Sequence, residues 1–509
     1  MKRVLQKGAA LLVGCLLLVH AGWAHGRPKA TVGSKGFPES WILGDAVAAL
    51  IERSGSITAE HKKNLGGTEI AYEALRSGSI DAYPEYTGTI TEVILKTKAR
   101  LQLSDIREAL AGSGIGMSDP LGFNDGYALA VTRSTAARRG LRTISDLIAH
   151  PELRAGFTHE FLGRADGYPG LSARYGLALT DVRGIQHELA YRAIAGAQID
   201  LMEIYTTDPQ IEELSLVLLD DDRAFFPRYD AVLLYRLDLA TRAPGALEAM
   251  MQLVGKIDEK AMTHANRRVV IEKASAAQAA LALLRDAVGV SIEDVTPRRT
   301  AMTDIGHNVT RHLALVGASL SFAILLGVPM GIVATRSRAI AFLALATAGL
   351  LQTVPSLALL AFLIPLFGIG VVPALIALFV YSLLPIVRNT FTGLTSIPSA
   401  LAEAADAIGL TPCAKLMRVA LPMASPAIMA GIKTSAIINV GTATLAALIG
   451  AEGLGNPIMQ GIALRDTGLI LQGSIPAALL ALLVEGAFYL LERFLIPKGL
   501  RLSSRGRAS

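Results

Sequence analysis

The apolar runs that begin near Leu313 restrict this chain more than any other feature. Stretches at 309–334, 339–364, 371–391, 424–450 and 471–494 are each long and apolar enough to span a bilayer as helices. In lipid every backbone N–H and C=O must find a partner inside the protein, so these runs predict about five membrane helices. Pro355, Pro365, Pro373 and Pro385 interrupt some of them, which neighbouring helices can accommodate by satisfying the freed carbonyls. Residues before Thr296-Pro297-Arg298-Arg299 read differently. A strand is expected at 30–34, helical periodicity runs over 42–52, and 75–81 leads into a turn. That alternation predicts an α/β domain over 28–297, followed by an all-α membrane domain over 300–497 and a short tail over 498–509.

Composition fits a mixed chain: 52% of the 509 residues are hydrophobic and only 18% charged. The net charge of +5 is small and no lysine-arginine run tracks a nucleic-acid backbone. Cys15 and Cys413 are the two cysteines, one in the N-terminal segment and one in an interhelical loop, so neither a disulfide framework nor a cysteine metal site is expected. Lys2, Arg3 and Lys7, the apolar stretch Gly8 to Val19, and Gly22-Trp23-Ala24 read as a signal peptide over 1–24, with an uncleaved anchor as the alternative. Leu12-Val13-Gly14-Cys15 imitates a lipoprotein box, but the apolar run continues past Cys15. Basic residues set the orientation. Arg336 and Arg338 follow the first span, Arg388, Lys415 and Arg418 flank or occupy the loop after the third, and Arg493, Lys498, Arg501, Arg505 and Arg507 lie at and beyond the end of the fifth. The loop after 371–391 and the tail are therefore expected in the cytoplasm, and the soluble domain outside it.

Chemistry-bearing motifs of other classes are weak. Gly112-Ser-Gly114-Ile-Gly116 lacks the next glycine of a dinucleotide fingerprint, and no phosphate-binding loop with Gly-Lys-Ser/Thr occurs. His307 and His312 have no third ligand near in sequence. Glu485 is an ionisable residue inside the last span, read as an interhelical hydrogen-bonding group. No nucleophile–base arrangement is visible, so the chain is not read as an enzyme.

The loop after the third span reads EAADAIGLTPCAKLMRVALP, from Glu403 to Pro422. Glu403-Ala404-Ala405, Gly409 and Leu421-Pro422 resemble the EAA loop of ATP-binding-cassette importer permeases. The resemblance implies a short coupling helix that docks a separate cytoplasmic ATPase, which would carry ATP and magnesium. No cofactor is expected on this chain. On a helix Glu403 and Ala407 share a face, small residues at 404, 405 and 407 allow close approach, and Gly409 can end the helix.

The soluble half carries Thr31-Val-Gly-Ser-Lys-Gly-Phe-Pro-Glu-Ser-Trp-Ile-Leu43, Asn64-Leu-Gly-Gly-Thr68, Asp81-Ala-Tyr-Pro-Glu-Tyr-Thr-Gly-Thr89, Gly122-Phe-Asn-Asp-Gly-Tyr127 and Asp166-Gly-Tyr-Pro-Gly-Leu171. It resembles the binding proteins of osmoprotectant importers for glycine betaine, choline or carnitine. Leu351-Gln-Thr-Val-Pro-Ser356 and Gly441-Thr-Ala-Thr-Leu-Ala-Ala447 resemble the permeases of the same systems. The resemblance implies a two-lobed α/β clamp of the periplasmic-binding-protein type II class, fused to its permease in a bacterial inner membrane. It implies a box of aromatic rings around a quaternary ammonium, since a cation without N–H groups is best met by ring faces, each contributing about 0.5–2 kcal/mol. Carried onto this sequence, the box is Tyr86, Tyr127, Tyr205 and Tyr229. Asp125 would add a negative charge, and Thr89 would hold the polar end. The opening motif departs at Pro38-Glu39-Ser40, where the family usually has Gln at the last position. Ser40 becomes a candidate contact, and ergothioneine an alternative ligand. Arg164 and Lys35 are candidate carboxylate partners, with surface solvation as the plainer role for either. Expected partners are the ATPase, a second copy of the permease, membrane lipid and the small ligand. A ligand-gated channel or a membrane receptor is the rival class; neither needs a coupling helix.

Overall fold

The computed structural model describes residues 28–97, 101–292, 301–464 and 466–496. The expected signal segment, the Thr296–Arg299 boundary and the tail lie outside them.

The soluble half starts with β1 (Lys29–Gly33) and α1 (Pro38–Arg53). Pro38 opens the helix at a position where its missing N–H costs nothing, and Glu39 lies in the first turn near the positive end of the dipole. Ile42, Ala46 and Leu50, with Leu43, Val47 and Ile51, recur at helical spacing and are all buried. The expected helix over 42–52 thus begins four residues earlier, at its proline. Next come β2 (Thr58–Lys62), α2 (Thr68–Arg76), β3 (Ala82–Tyr86), β4 (Ile115–Met117), β5 (Tyr127–Thr132), β6 (Arg154–Phe157), β7 (Asp181–Gly184), β8 (Leu201–Tyr205), β9 (Leu216–Leu219), β10 (Ala231–Arg236) and α3 (Glu259–Val270).

The strands form two five-stranded sheets, β2-β1-β3-β10-β4 and β7-β6-β8-β5-β9. In the first, β1 runs parallel to β2 and β3, and β10 runs antiparallel to β3 and β4. The second repeats the plan: β6 is parallel to β7 and β8, and β5 is antiparallel to β8 and β9. Each sheet is the floor of one lobe. The chain crosses between lobes twice, and the two crossings pair as an antiparallel bridge between Asn124 and Asp230. The cleft between the lobes lies at the carboxyl ends of β1, β3, β6 and β8, where α/β sheets place ligands.

The membrane half contains α4 (Ala301–Ala334), α5 (Arg338–Thr353), α6 (Ser356–Phe367), α7 (Val371–Thr395), α8 (Ser399–Ala407), α9 (Leu421–Thr442), α10 (Gly455–Ala463) and α11 (Thr467–Leu495). Four stretches, Met302–Ala334, Val371–Thr395, Pro412–Ile449 and Thr467–Phe494, are long and apolar enough to cross a membrane. The run expected as a span at 339–364 is the pair α5 and α6, bent by 97°, a fifth span if the broken pair counts as one. Pro355 explains the bend. A residue before proline is pushed out of helical geometry, and Val354 sits extended at φ −66°, ψ 125°. Its carbonyl, freed by the break, accepts the Tyr381 hydroxyl from α7. Small residues bring helices close: Gly331 faces Thr390, and Gly393 faces Ala424 and Ala427. Outward-facing Phe342, Leu343, Leu366 and Phe494 are exposed, as a lipid-facing surface requires.

Lobe 1, the lobe of β1, is docked on these helices. Gly66 N–H donates to Leu448 O at 3.1 Å, Ile369 N–H to Ser79 Oγ at 3.3 Å, and Lys273 Nζ to Leu464 O at 2.9 Å. Leu65, Leu75 and Ile80 share one hydrophobic cluster with Leu360, Ile364, Ile369 and Ile449. Gly368 turns the chain there at φ 72°, ψ −158°, where only glycine is comfortable, and a Cβ would strike Ser79.

Candidate functional site: an aromatic cleft and a coupling loop

The ends of β3, β5 and β8 and the two crossings deliver aromatic rings to one cavity of about 510 Å³, cleft mouth included. Tyr86 ends β3, Tyr127 opens β5, Tyr205 ends β8 and Tyr229 sits on the second crossing. All four line the cavity, together with Thr89 and Asp125. Ring centroids stand 5.3 Å apart for Tyr127 and Tyr205, and 5.4 Å for Tyr127 and Tyr229, the latter pair edge to face at 89°. Phe37, just before α1, completes the chain of rings. It stacks 6.5 Å from Tyr86 in lobe 1 and 6.4 Å from Tyr205 in lobe 2. Sequence reasoning passed over Phe37, although it lies inside the quoted opening motif.

The rings are held by their hydroxyls. Tyr86 donates to Glu39 Oε1 at 2.6 Å, and Tyr229 donates to Asp166 Oδ2 at 2.5 Å. Burial first, and then the carboxylates beside them, push both phenols well above their ordinary range, so both remain neutral donors.

Two cations approach the rings, and each is already neutralised. Lys35 Nζ lies 5.0 Å from the Tyr86 centroid and 5.5 Å from that of Phe37, and it pairs with the buried Glu85 at 2.6 Å. The Arg164 guanidinium lies 5.6 Å from the Tyr127 centroid. It holds Asp166 Oδ1 at 2.7 Å and Glu160 at 3.3 Å. Both line the cavity and are internally committed, rather than solvated on the surface. Ser40 does not line the cavity. It is fully buried in α1, and its Oγ accepts the Lys35 backbone N–H at 2.9 Å. That bond ties down the turn carrying Lys35.

Behind the rings the lobes are clasped by a second set of residues that no local motif reveals. Glu39 Oε2 accepts from Thr207 Oγ1 of lobe 2 at 2.7 Å and from Asn266 Nδ2 of α3 at 2.8 Å. Thr207 Oγ1 also lies 2.9 Å from Asp125 Oδ1. Burial pushes Glu39 above the usual carboxylate range against the hydrogen bonds from Thr207, Tyr86 and Asn266. Burial pushes Asp125 well above it, reinforced by the Glu39 and Asp208 charges. Next to this seam, His187 meets Asp208 at 2.9 Å. Burial alone would lower the imidazole, but the Asp208 charge and hydrogen bond, with Glu188 and Glu203, lift it to about 9.

In the membrane half, α8 carries Glu403, Ala404 and Ala405 on a short helix between α7 and α9. Ala405 is buried, while Glu403 and Ala404 face outward. Gly409 follows at φ 74°, the left-handed turn for which glycine is suited. Leu421 and Pro422 open α9 and are half-buried. Asp406 and Lys415 brace the loop with an ion pair at 2.7 Å. Ile408 and Met417 project from it, 75% and 62% exposed.

Residues 28–286 match the family model described as the substrate binding domain of the ABC-type glycine betaine transport system. Residues 323–498 match that of the binding-protein-dependent transport system inner membrane component. The choline transport system permease protein OpuBB of Bacillus subtilis (strain 168) is 43% identical over 37% of this chain and 88% of its own length. The carnitine transport permease protein OpuCB of Listeria monocytogenes is 43% identical over 41% of this chain and 97% of its own. Among solved structures, a glycine betaine/carnitine/choline ABC transporter is 29% identical over 50% of this chain and 97% of its own, with a TM-score of 0.44. The chain belongs to the ABC-type glycine betaine transport family, with a substrate-binding domain and an inner-membrane permease domain in one polypeptide.

Proposed function

We propose that this chain is the receptor and permease of an importer for quaternary ammonium solutes such as glycine betaine, choline or carnitine. The observation that carries this reading is the set of five rings, Phe37, Tyr86, Tyr127, Tyr205 and Tyr229, gathered from both lobes around one cavity. Lys35 and Arg164 are each paired with carboxylates of their own, so neither sets an uncompensated positive charge against a cation among the rings. Thr89 supplies a hydroxyl for the polar end of the solute. The names of the matching permeases, which include choline and carnitine transport, support the same substrate class.

In this reading the clamp closes with solute between its lobes, outside the cytoplasm, and passes it to the helices under lobe 1. A separate ATPase docks on α8 and the loop to Pro422, through Glu403, Ala404, Ala405 and Gly409 with the exposed Ile408 and Met417 beside them. Two copies of the membrane half would enclose the path.

The test is calorimetric titration of the purified full chain with glycine betaine, choline, carnitine and ergothioneine. Proline and histidine, which lack a trimethylammonium, serve as controls. Binding of a trimethylammonium compound is expected to weaken about 5- to 30-fold in Tyr127→Ala and in Tyr205→Ala, from the loss of about 1–2 kcal/mol per ring. Equal binding of proline, or undiminished binding in both variants, would overturn the box. Co-purification of an ATPase, lost when Glu403 and Gly409 are replaced, tests the coupling loop.

A further inference from the structure

The hydrogen bonds at the lobe seam supply its two carboxylates unequally. Glu39 receives three donors: the Tyr86 hydroxyl, the Asn266 amide and the Thr207 hydroxyl. That is the environment of an ionised carboxylate. The Thr207 hydroxyl has one hydrogen, yet it also stands 2.9 Å from Asp125 Oδ1. With its hydrogen on Glu39, it can meet Asp125 only as an acceptor, and an ionised carboxylate has nothing to donate. The other donor to this oxygen is the Thr207 backbone N–H, distant at 3.4 Å. Glu39 is the better supplied of the two carboxylates, so a proton on the seam is held at less cost by Asp125.

The surroundings agree. Asp125 faces Glu39 and Tyr86 from lobe 1, Tyr205, Asp208 and His187 from lobe 2, and Tyr229 from the second crossing. The phenols are neutral and His187 is bound to Asp208, while Lys35 and Arg164 are bound to Glu85 and Asp166. No free cation among these groups offsets a charge on Asp125, and burial with the nearby Glu39 and Asp208 charges pushes it well above the usual carboxylate range.

Asp125 also lines the ring-walled cavity. Resting on the quaternary ammonium reading of that cavity, we propose that Asp125 is a proton-exchanging counter-ion: it holds a proton while the cavity lacks a cation and releases it to solvent as the ligand binds. One positive charge leaves as the proton and one enters as the ammonium, so the buried net charge is conserved. Thr207 can then turn its hydrogen to Asp125, because Glu39 keeps Tyr86 and Asn266. Affinity consequently rises with pH until the empty cavity loses the proton unaided.

Choline is the suitable probe, since it carries no carboxylate. Titration of the full chain with choline chloride, in buffers of different ionisation enthalpy, is expected to show about one proton released per ligand. The association constant is expected to rise up to about tenfold per pH unit in the releasing range. Asp125→Asn offers Thr207 an N–H in place of the acid's O–H and so keeps the seam. It is expected to bind choline weakly, with no proton release and a flat pH profile, and the native chain is expected to approach it at low pH. Choline binding without proton exchange between about pH 5 and about pH 9 would overturn the proposal, as would undiminished release from Asp125→Asn. Failure of choline, glycine betaine and carnitine all to bind is a distinct outcome, which removes the cation reading and this proposal with it.

Discussion

The two lobes of the clamp follow the same strand plan, yet they bury different surfaces. Lobe 1 shares a hydrophobic cluster with the membrane helices and is hydrogen-bonded to them through Gly66, Ser79 and Lys273. Lobe 2 has a cluster made of its own residues, among them Tyr191, Ile194, Met202 and Ile204. It meets lobe 1 at the polar seam of Thr207 and in a shared cluster near the crossings that includes Tyr86, Tyr127 and Phe161. Apolar contact is indifferent to small changes in charge, whereas a polar seam depends on protonation and on ligand. In the clamp reading, the same topology then serves two ends, with lobe 1 as the footing and lobe 2 as the part expected to open.

The sharpest way to break that distinction is Glu39→Ala. It strands the Tyr86 hydroxyl and takes the carboxylate acceptor from Asn266 and Thr207, a loss of about 3 kcal/mol. Hydrogen exchange on the full chain is expected to quicken across β6 to β9 while β1 and α2 stay protected. Equal loosening of both lobes would erase the difference. A smaller effect is expected from pH. His187 is lifted from about 6.5 in an unfolded chain to about 9 in the fold. Its pairing with Asp208 thus stabilises lobe 2 fully below about pH 6.5 and is lost as pH rises through about 9. The thermal midpoint should fall by roughly 5 °C over that window, and by less in His187→Gln; an unchanged slope in the variant would assign the effect elsewhere. The smallest is Ser79→Ala, which removes one acceptor under lobe 1, about 1 kcal/mol. Exchange at Ile369 should rise with solute binding unaltered, and weakened binding would show that the footing also moves.

Much of this was legible in the sequence where cause is local. The apolar runs gave four crossing helices directly, because hydropathy and length need no tertiary information. The 97° break in the 339–364 run was not legible, but its remedy was the expected one: the carbonyl freed before Pro355 accepts the Tyr381 hydroxyl from another helix. The cavity tyrosines came from resemblance, since nothing in spacing alone distinguishes Tyr86 from the structural Tyr83. Ser40 drew notice as a departure from the motif, but its hydroxyl turns inward to Lys35. The seam was out of reach. Glu39 lies 168 positions from Thr207 and 227 from Asn266, and no periodicity links such distant polar residues.

The docking of lobe 1 changes the kinetics of uptake as well as its geometry. A freely diffusing receptor must find its permease by collision, at a rate set by its abundance. Here receptor and helices are one chain in standing contact, and the local concentration of one for the other is constant. The encounter step disappears from the cycle. In the importer reading, flux then answers to solute and to fuel, and making more receptor cannot raise it without making more permease. The arrangement also fixes the ratio: each membrane domain carries a receptor of its own for its whole lifetime.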